Sequence, residues 1–352
     1  MNDELREDLP GVPTEYLCPA CGAPLREAHY HAHDPHIENW ALWCSACGRR
    51  WDIKGDVPVL VPPNLDTGAV ATVETFAYKW GYDLKAMREE RARIANAWFL
   101  QRFWFSTESH LARYLEEKQT ILDAGCGIGN LTTLFAALAP HATVYAVDLS
   151  TAVHSVPSAQ KVRRVQADIT RLPIDRSFDL IVSDGVLHHT PSTQGAMAAL
   201  AKKLAPGGDL LFYTYKQKAP LRELADDRLR AHVTQLQPEQ AMAVCRTIAD
   251  LGRQLREAQV TVHLDAPIEA LGIPAGDHDL QRLVYWHFMK CFWDDGGNEV
   301  ASVLENFDWY HPMYAWRHTR AEVERWLDEA QLETVGINEV EAGFAVHARR
   351  PT

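Results

Sequence analysis

The sequence predicts an α/β fold, and two observations carry this prediction. In the stretch I-L-D-A-G-C-G-I-G-N, residues 121–130, an apolar run ends in Asp123, and Gly125, Gly127 and Gly129 follow. The apolar spacing then becomes helical, which is typical of a strand, a tight turn and a helix start. Further along, continuous apolar runs alternate with helical patterns, as in parallel sheets covered on both faces. The turn alone is a weak signal, because such turns serve many nucleotides.

The same patterns assign the elements of the core. Helices are expected at 129–139 and 193–204, with a short one near 151–156, and a final helix begins in a capping box of Thr319 and Glu322. The last two strands read as a hairpin that completes a seven-stranded sheet. Strands are predicted at 120–124, 143–148, 162–167, 178–184, 209–216, 333–340 and 343–349.

The composition indicates a globular protein of more than one unit. The chain has 352 residues, of which 47% are hydrophobic and 23% are charged, values that are ordinary for a soluble protein. A net charge of −12 weighs against a nucleic-acid partner, because phosphate binding requires a basic face. The charged N-terminus lacks the apolar core of a secretory signal, and no apolar run reaches the length of a membrane span. We therefore expect a cytoplasmic protein.

Four cysteines form two C-x-x-C pairs near the N-terminus, whereas the others are scattered and typical of buried apolar positions. Without a secretion signal, such pairs favour a metal over disulfides. Two C-x-x-C turns would complete a closed, tetrahedral zinc site in a small ribbon over residues 15–61. Histidines between the pairs are alternative ligands, although a solvated loop is the simpler interpretation. The predicted ligands are Cys18, Cys21, Cys44 and Cys47, and the intervening histidines are His29, His31, His33 and His36.

The stretch from Tyr16 to Val61, with its cysteine pairs and its closing I-K-G-D-V-P-V-L, carries a resemblance. It resembles the zinc-ribbon family of small proteins that activate tRNA and protein methyltransferases. It is also similar to the N-terminal ribbon of bacterial rRNA guanine methyltransferases. The resemblance implies a structural or interaction module, through which the chain would meet a protein partner or a second copy, and not a catalytic one.

Acidic residues close three further predicted strands. Asp148 ends the strand of Y-A-V-D-L-S about two dozen residues after the glycine turn, where an acidic ribose ligand is expected. Asp168 follows in Q-A-D-I-T-R-L-P, and Asp184 ends the strand of F-D-L-I-V-S-D-G-V-L-H-H-T-P. Each carboxylate can instead cap a helix or turn. That alternative weighs more for Asp168 than for Asp148.

Together with the L-A-P-G-G turn that follows, this ordered set resembles the class I S-adenosylmethionine-dependent methyltransferases from about Thr120 to Tyr215. It is most similar to the ubiquinone and menaquinone C-methyltransferase branch. A nicotinamide dehydrogenase also uses glycines and an acidic residue, but D-x-G-x-G-x-G, P-G-G and L-H-H weigh against it. The resemblance implies a Rossmann-like sheet. It implies contacts with the methionine part of the cofactor from Asp123, Gly125, Gly127 and Gly129, and contacts with the ribose from Asp148. It further implies adenine contacts from Leu149, Asp168 and Ile169, and it places Asp184, Gly185 and Val186 around the transferred methyl.

Before this core lies a segment interpreted as a linker and a helical lid. The linker is assigned to Pro62–Val73 from its proline, asparagine, glycine and threonine content. In the aromatic F-A-Y-K-W-G-Y-D that follows, Tyr78 and Trp80 are interpreted as lid residues over the cofactor. Packing of an amphipathic helix on the main domain is the alternative, and it is the expectation for Ile94 and Trp98.

About a hundred residues separate the fifth strand from the last helix, where the family pattern normally needs one helix. Helices are predicted at 222–257 and 279–293, followed by the aromatic F-D-W-Y-H-P-M-Y-A-W-R-H-T. This run resembles the D-W-Y-x-P-x-Y segment of bacterial methyltransferases that tailor secondary metabolites or surface sugars. An insertion here lies above the carboxyl ends of the strands, so we expect residues 217–318 to cap the acceptor site. The candidate acceptor contacts are Tyr213, Tyr215, His287, Lys290, Tyr310, His311, Tyr314 and Arg317.

The resemblance implies in-line methyl transfer from S-adenosyl-L-methionine, in which the protein positions the acceptor and can remove a proton. His188 or His189 is the candidate base, since imidazole titrates near working pH. The alternative for whichever packs inward is a structural hydrogen bond to the backbone. The aromatic rings fit a planar or prenylated acceptor, and Lys290 and Arg317 fit an anionic one.

Three functions stay open at this point. A small-molecule methyltransferase is favoured, with a secondary metabolite, an aromatic or isoprenoid compound or a sugar as acceptor. An RNA methyltransferase is supported by the ribbon and opposed by the acidic charge and the large cap. A non-catalytic cofactor-binding partner protein is the third. The sequence also predicts how the chain is divided into five regions. These are a zinc ribbon (1–62), a linker and helical lid (63–118), a cofactor-binding core (119–216), a cap (217–318), and a last helix with a strand hairpin (319–352).

Overall fold

The computed structural model describes residues 12–31, 38–86 and 88–352. The strands are β1 (Val12–Leu17), β2 (Pro24–His31), β3 (Glu38–Trp43), β4 (Arg50–Lys54), β5 (Val57–Leu60), β6 (Thr120–Ala124), β7 (Thr143–Asp148), β8 (Val162–Ala167), β9 (Phe178–Asp184), β10 (Leu204–Tyr215), β11 (Thr261–Leu264), β12 (Gly276–Asp279), β13 (Glu333–Glu339) and β14 (Gly343–Arg349). The helices are α1 (Thr67–Ala86), α2 (Arg88–Arg102), α3 (Glu108–Leu115), α4 (Asn130–Leu138), α5 (Thr193–Ala201), α6 (Pro220–Val233), α7 (Pro238–Glu257), α8 (Leu280–His287), α9 (Glu299–Tyr310) and α10 (Arg320–Glu329).

One large sheet organises the molecule, in the order β1-β2-β3-β4-β5-β8-β7-β6-β9-β10-β14-β13. The strands from β8 to β10 in this order are parallel, and β14 and β13 complete the edge as the predicted antiparallel hairpin. The expected count of seven strands is wrong for the whole sheet, which has twelve. The difference arises because β5 pairs in parallel with β8. It thereby satisfies the backbone groups that an edge strand would leave unpaired, and the ribbon strands extend the sheet through it.

The predicted core strands lie where expected, but two helical predictions are wrong in their bounds. The helix predicted at 222–257 is two helices, because Pro238 lacks an N–H and starts α7 behind the capping residue Gln237. The helix predicted at 279–293 ends at His287. A small hairpin, β11 with β12, lies between them.

The predicted linker is shorter than its composition indicates. Helix α1 begins at Thr67, inside the range assigned to the linker. The carboxylate of Asp66 accepts a hydrogen bond from the Ala69 backbone N–H at 2.9 Å, which satisfies a donor at the start of the helix. The linker therefore ends at the capping residue Asp66, although the composition on which it was assigned continues to Val73.

The inserted segment leaves and rejoins the sheet at neighbouring points. Lys216 and His318 form an isolated parallel bridge at its base, and the helices α6, α7, α8 and α9 pack between these points around a shared apolar core. The insertion therefore stands over the ends of β10 and β9, where the sequence predicts a cap. In the part of the chain that the structure describes, no helix is both long and apolar enough to cross a membrane.

Some predictions concern residues about which little is described. The N-terminal residues 1–11 lie outside the described residues, as do His33 and His36. His29 and His31 belong to β2.

The buried carboxylate of Asp226 ties the cap together. Its Oδ2 accepts hydrogen bonds from Arg222 Nε at 3.1 Å and from Trp309 Nε1 at 2.8 Å. Its Oδ1 lies 2.8 Å from the Tyr310 hydroxyl and 3.0 Å from the Lys290 backbone N–H. Asp226 and Arg222 are each only 1% exposed. Helix α6 is therefore joined to α9 and to the segment before it by charged, desolvated hydrogen bonds.

We expect Asp226→Ala to lower the free energy of unfolding by about 3–5 kcal/mol, because it leaves the buried Arg222 guanidinium without its counter-charge. Urea denaturation followed by circular dichroism would measure this. The neighbouring Asp227, whose side chain is 63% exposed in its pair with Arg317, is the matched control. Asp227→Ala should cost no more than about 1 kcal/mol. Equal losses in the two variants would contradict a central role for Asp226.

Candidate active site

A cavity of about 920 Å³ lies at the carboxyl ends of the parallel strands. Open α/β sheets bind their ligands at this edge, and small-molecule sites typically occupy about 300–1,000 Å³. Residues from the loops after β6, β7, β8 and β9 line one part of the cavity, and residues of α1, α2 and the cap line the rest. The predicted cofactor region and the predicted acceptor region therefore share one space.

The glycine turn after β6 leaves no room for side chains. A Cβ atom on Gly125 would lie 2.4 Å from Val186, and one on Gly127 would lie 2.9 Å from the Trp80 ring. Both residues have positive φ angles, 86° and 54°, which glycine adopts without strain. Gly125 lines the cavity, whereas Gly127 lies under Trp80 and Gly129 is the N-cap of α4. The turn thus presents bare backbone to the cavity through the first of its three glycines.

Asp148 ends β7 with its carboxylate fixed in place. The Gly127 backbone N–H donates to Oδ2 at 2.8 Å, and the backbone N–H and hydroxyl of Ser150 donate to Oδ1 at 2.8 and 2.6 Å. A carboxylate offers about four acceptor positions, so the group keeps acceptor capacity toward the cavity that it lines beside Leu149. This arrangement suits a ligand with neighbouring hydroxyl groups.

Asp168 caps a turn and also lines the cavity, so both interpretations from the sequence stay open. Its Oδ1 accepts hydrogen bonds from the Thr170 backbone N–H at 2.8 Å and from the Thr170 hydroxyl at 2.7 Å. These bonds cap the short 3₁₀ turn Ile169–Arg171. Asp168 and Ile169 also line the cavity, so capping and ligand contact are compatible at this position.

Asp123 does not line the cavity, which corrects its predicted contact with the cofactor. The side chain is 3% exposed and accepts a hydrogen bond from the Thr132 hydroxyl at 2.6 Å. Burial raises the pKa of Asp123 to about 7. The residue ties the end of β6 to the first turn of α4 and so supports the glycine turn from behind.

Asp184 is paired with a cation that the sequence did not reveal. Arg102, the last residue of α2, donates from Nη1 to Asp184 Oδ1 at 2.8 Å. Its guanidinium carbon lies 3.9 Å from the centroid of the Tyr213 ring. These three side chains line the cavity together with Gly185 and Val186. No local pattern could indicate Arg102, because its partner lies 82 residues away in the chain.

Of the two candidate bases, His189 lines the cavity. Its Nδ1 lies 2.7 Å from the Tyr314 carbonyl oxygen. Because a carbonyl only accepts, Nδ1 carries the proton, and Nε2 of the neutral ring keeps a lone pair. Burial lowers the pKa of His189 to about 4, so the ring is neutral at pH 7.

His188 is fully buried and lies outside the cavity lining. Neither ring nitrogen has a hydrogen-bond partner among the described residues, and the ring packs on Tyr215 with 3.7 Å between centroids. Burial lowers the pKa of His188 well below the usual range. The structural hydrogen bond expected of the inward-facing histidine is therefore not made by His188 among the described residues. The cavity-lining His189 makes one instead.

The lid residues are arranged differently from the prediction. Trp80 lines the cavity, and its role over the cofactor stays a prediction. Tyr78 instead packs on Phe307 in the core of the cap, with 5.9 Å between ring centroids, because residues two apart on a helix face different sides. Ile94 and Trp98, which were expected to pack on the main domain, line the cavity.

An ion pair connects α1 to the cap. Lys79 Nζ lies 3.2 Å from Asp308 Oδ1, and both side chains are largely buried. Burial opposes the charged form of Asp308, but the interactions with Lys79, His189 and Lys290 together outweigh burial and lower the pKa of this carboxyl. Both residues line the cavity, so the pair forms part of the wall between the lid and the cap.

Three of the eight predicted acceptor contacts, Tyr213, Tyr215 and Lys290, line the cavity. Burial raises the pKa of both tyrosines above the usual range, so their hydroxyls stay protonated and can donate hydrogen bonds. Sequence reasoning missed further cap residues that contribute to the wall, among them Lys218, Arg222, Tyr285, Trp286 and Trp309.

Tyr310 and His311 hold the cap together and do not line the cavity, contrary to prediction. The Tyr310 hydroxyl belongs to the Asp226 cluster. His311 Nδ1 lies 2.8 Å from the Thr75 hydroxyl, and its Nε2 lies 3.0 Å from the Leu236 carbonyl oxygen. Both side chains are buried and satisfied within the protein.

Tyr314, Arg317 and His287 also lie outside the cavity lining, which corrects the remaining acceptor predictions. The Tyr314 hydroxyl donates to Asp66 at the start of α1. Arg317 Nε donates to Glu223 at 2.8 Å, and His287 ends α8. Residue type alone could not separate these side chains from those that reach the cavity.

The four ribbon cysteines converge on one point. Their sulfur atoms all lie within 4.8 Å of one another, with 3.6 Å between Cys18 and Cys47 and 3.5 Å between Cys21 and Cys44. None of them forms a disulfide. Zinc–sulfur bonds of about 2.3 Å in a tetrahedron separate the sulfurs by about 3.8 Å. The cluster therefore has the spacing that a zinc ion requires.

Comparison with known proteins agrees with the geometry of the cavity. A family model described as a methyltransferase domain matches residues 81–264, which is more than half of the chain. The chain belongs to this methyltransferase family. The matched range includes the glycine turn, the acidic strand ends and the L-H-H loop, and it extends into the cap.

Curated relatives align with this methyltransferase over a limited region. An uncharacterised protein of Synechococcus sp. is 37% identical over 119 residues, covering 30% of this chain and 28% of the relative. The malonyl-(acyl-carrier protein) O-methyltransferase of Priestia megaterium is 34% identical over 106 residues, covering 29% of this chain and 39% of the relative. The chain thus spans less than half the length of these relatives.

Solved structures give more distant similarities. The 1,6-didemethyltoxoflavin-N1-methyltransferase of Burkholderia thailandensis, with its bound substrate and S-adenosylhomocysteine, is 15% identical, with a TM-score of 0.42 over 92% of this chain and 100% of that chain. Human N-acetylserotonin methyltransferase is 14% identical, with a TM-score of 0.37 over 75% of this chain and 56% of that one. These similarities are too distant to carry an argument about the substrate.

Proposed function

We propose that the chain transfers a methyl group from S-adenosyl-L-methionine to a small molecule bound beneath the cap. The observation that carries the proposal is the single cavity shared by the glycine turn, Asp148 and the cap. Membership of the methyltransferase family supports the reaction type. The enclosure of the cavity by the lid and the cap supports a small acceptor, because binding sites for small molecules are concave and mostly apolar.

The residues at the strand ends fit this cofactor. Asp148 would accept hydrogen bonds from the two ribose hydroxyls, and Leu149 and Ile169 would flank the adenine with Asp168 near its amino group. The bare backbone at Gly125 leaves space for the methionine part. The cofactor supplies an activated methyl on a sulfonium, so the protein's contribution is chiefly to position the acceptor for in-line attack.

His189 is the residue proposed to remove a proton from the acceptor. Its Nδ1–H is held by the Tyr314 carbonyl, which orients the ring and leaves Nε2 as the basic atom. The lowered pKa makes it a weak base that is always available at neutral pH, because the protonated form appears only near pH 4. His188, which does not line the cavity, is proposed to support the ring of Tyr215.

The ribbon is proposed to hold a structural zinc ion through Cys18, Cys21, Cys44 and Cys47. A closed four-cysteine site contributes folding energy and leaves no position for a substrate. Because β5 joins the ribbon to the central sheet, the metal would stabilise the sheet edge next to the adenine side of the cavity. We also propose that the ribbon is related to the ribbons of the small methyltransferase activators, and that the core is related to the ubiquinone and menaquinone C-methyltransferase branch.

The proposal is tested first at the cofactor. We expect the protein to bind S-adenosylhomocysteine in isothermal titration calorimetry, and Asp148→Ala to weaken binding by about 10–100-fold, because hydrogen bonds to a charged group contribute about 1.5–3 kcal/mol. Asp250→Ala, on the cap surface, should leave the affinity unchanged. Equal affinities for the wild type and Asp148→Ala would contradict the assignment of the ribose site.

The same variants test the type of acceptor. Incubation with methyl-labelled cofactor and a bacterial extract should place label in the low-molecular-weight fraction, and Asp148→Ala should abolish it. Label that enters only the RNA fraction would instead support an RNA methyltransferase. Cofactor binding without any labelled product would support a non-catalytic binding protein.

His189→Ala is expected to reduce the rate of label transfer by about 10²–10⁴-fold, the usual contribution of a positioned base, with cofactor affinity unchanged. In the wild type, loss of the base by protonation should begin only as the pH falls toward 4, because burial lowers the pKa of His189 to about 4. The rate should therefore not fall through a midpoint near 6.5.

His188→Ala is the control for this experiment. It should affect thermal stability more than the rate per folded molecule, since the ring is buried against Tyr215. Full turnover by His189→Ala would contradict the assignment of the base.

Metal content tests the ribbon. We expect about one zinc per chain by plasma mass spectrometry, and almost none in the double variant Cys21→Ser, Cys47→Ser, because a tetrahedral site needs its four ligands. Cys126→Ser, outside the cluster, should retain the metal. Zinc that stays bound to the double variant would rule out this site.

A further inference from the structure

We infer that the acceptor carries an acidic group, which binds to Lys218, Arg222 and Lys290 around Trp309 in the cap. This inference rests on the proposed function, because only that function makes the bound acid the acceptor of the methyl group. It names the chemical class of that acceptor, namely an organic oxyanion such as a carboxylate or a phosphate ester.

Three cations that line the cavity converge on one indole ring. The Nζ atoms of Lys218 and Lys290 lie 5.5 and 5.0 Å from the centroid of Trp309, and the guanidinium carbon of Arg222 lies 5.3 Å from it. All four side chains line the cavity. The negative face of the ring compensates each cation only partly, so the cluster favours a negatively charged ligand.

Arg222 supplies the buried, unpartnered donor. The side chain is 1% exposed. Its Nε is used by Asp226, but its Nη1 is buried without a hydrogen-bond partner among the described residues. A buried N–H without an acceptor is costly, and a guanidinium fork matches the two oxygens of a carboxylate or phosphate. A bound oxyanion would remove this cost.

The protein's own carboxylates neutralise only part of the cluster. Asp226 pairs with Arg222 and already accepts four hydrogen bonds, and Asp308 is paired with Lys79. Among the described residues, carboxylates bind the backbone N–H groups of Lys290 and Lys218, but no ion pair within 4.0 Å joins a carboxylate to the Nζ atom of either lysine. Lys218 Nζ donates instead to the carbonyl oxygens of Lys216 and Ala342. Burial and the neighbouring Arg222 lower the pKa of Lys218 well below its usual range, although the charge of Glu223 opposes this shift. A bound anion would favour the protonated form of this amine.

The neighbouring rings favour a planar acid. The guanidinium of Arg222 also lies 4.7 Å from the Tyr285 ring and 5.2 Å from the Trp286 ring, and both rings line the cavity. An acid group at Arg222 would therefore place the attached part of the molecule among aromatic side chains. Benzoate and phenyl phosphate are suitable probes, with benzamide as the uncharged analogue of benzoate.

Calorimetric titration of the full chain, saturated with S-adenosylhomocysteine, provides the test. We expect benzoate or phenyl phosphate to bind at least about 10-fold more tightly than benzamide, and the preference to weaken with added salt. Tighter binding of benzoate would identify a carboxylate acceptor, and tighter binding of phenyl phosphate would identify a phosphate ester. Equal binding of both acids and benzamide would overturn the inference.

Lys290→Met is the informative variant, because the backbone N–H of Lys290, and not its side chain, binds Asp226. It should reduce the affinity for the acid probe by about 10-fold and leave benzamide unaffected. Lys202→Met, at an exposed position, should change neither. If thermal unfolding shows that Lys290→Met is misfolded, Lys218→Met replaces it with the same expected result. Unchanged acid binding in a folded variant would contradict the assignment.

The two proposals fail in different ways. If S-adenosylhomocysteine binds but no acid is preferred, the inferred acid site is wrong and the proposed methyl transfer stands. If S-adenosylhomocysteine does not bind, while the acid preference and its loss in Lys290→Met persist in the cofactor-free protein, the proposed function is wrong and the cluster remains an acid-binding site.

Discussion

The acceptor half of the molecule depends on one buried carboxylate, that of Asp226. Its four donors come from segments separated by as many as 84 residues, and removing such a charge from water is favourable only when these donors are all in place. Arg222, Lys290 and Trp309 are at once partners of this carboxylate and part of the cavity wall. The interactions that fold the cap therefore also fix the positions of the groups that would meet an acceptor.

Two other ion pairs connect the cap and the sheet to the N-terminal helices. Arg102 of α2 binds Asp184 at the end of β9, and Lys79 of α1 binds Asp308 of α9. In both pairs the charges compensate each other, so neither cation is available to a ligand without loss of its partner. At Trp309, Asp226 compensates Arg222, whereas the Nζ atoms of Lys218 and Lys290 have no carboxylate partner among the described residues. Under the inference above, these two lysines would attract an acidic molecule beneath the cap although the chain as a whole carries a net charge of −12.

A larger share of the predicted cofactor residues than of the predicted acceptor residues lines the cavity, and the reason is physical. Gly125, Asp148 and Asp168 act through turns and strand ends that form from neighbouring residues, so their spacing is visible in the chain. Tyr310 and His311 have the residue types expected in a binding site, but their partners lie in distant segments and draw them into the core. The reverse holds for Arg222 and Trp98, which looked like ordinary helix residues. Packing between helices determines which of these side chains reach the cavity, and the local sequence pattern does not show that packing.

The end of β10 lies between the two halves of the cavity, the one next to Asp184 and the one next to Trp309. Alternate residues of a strand face the same side, so Tyr213 and Tyr215 both point into the cavity, with 6.1 Å between their ring centroids. Tyr213 lies against Arg102 and, through it, near Asp184, whereas Tyr215 packs on Trp309 at 4.8 Å. Under the proposed function, a central strand, paired on both sides, would set the distance between the methyl donor and the acid-binding cluster. In-line transfer requires such fixed spacing, and a strand provides it more accurately than a loop.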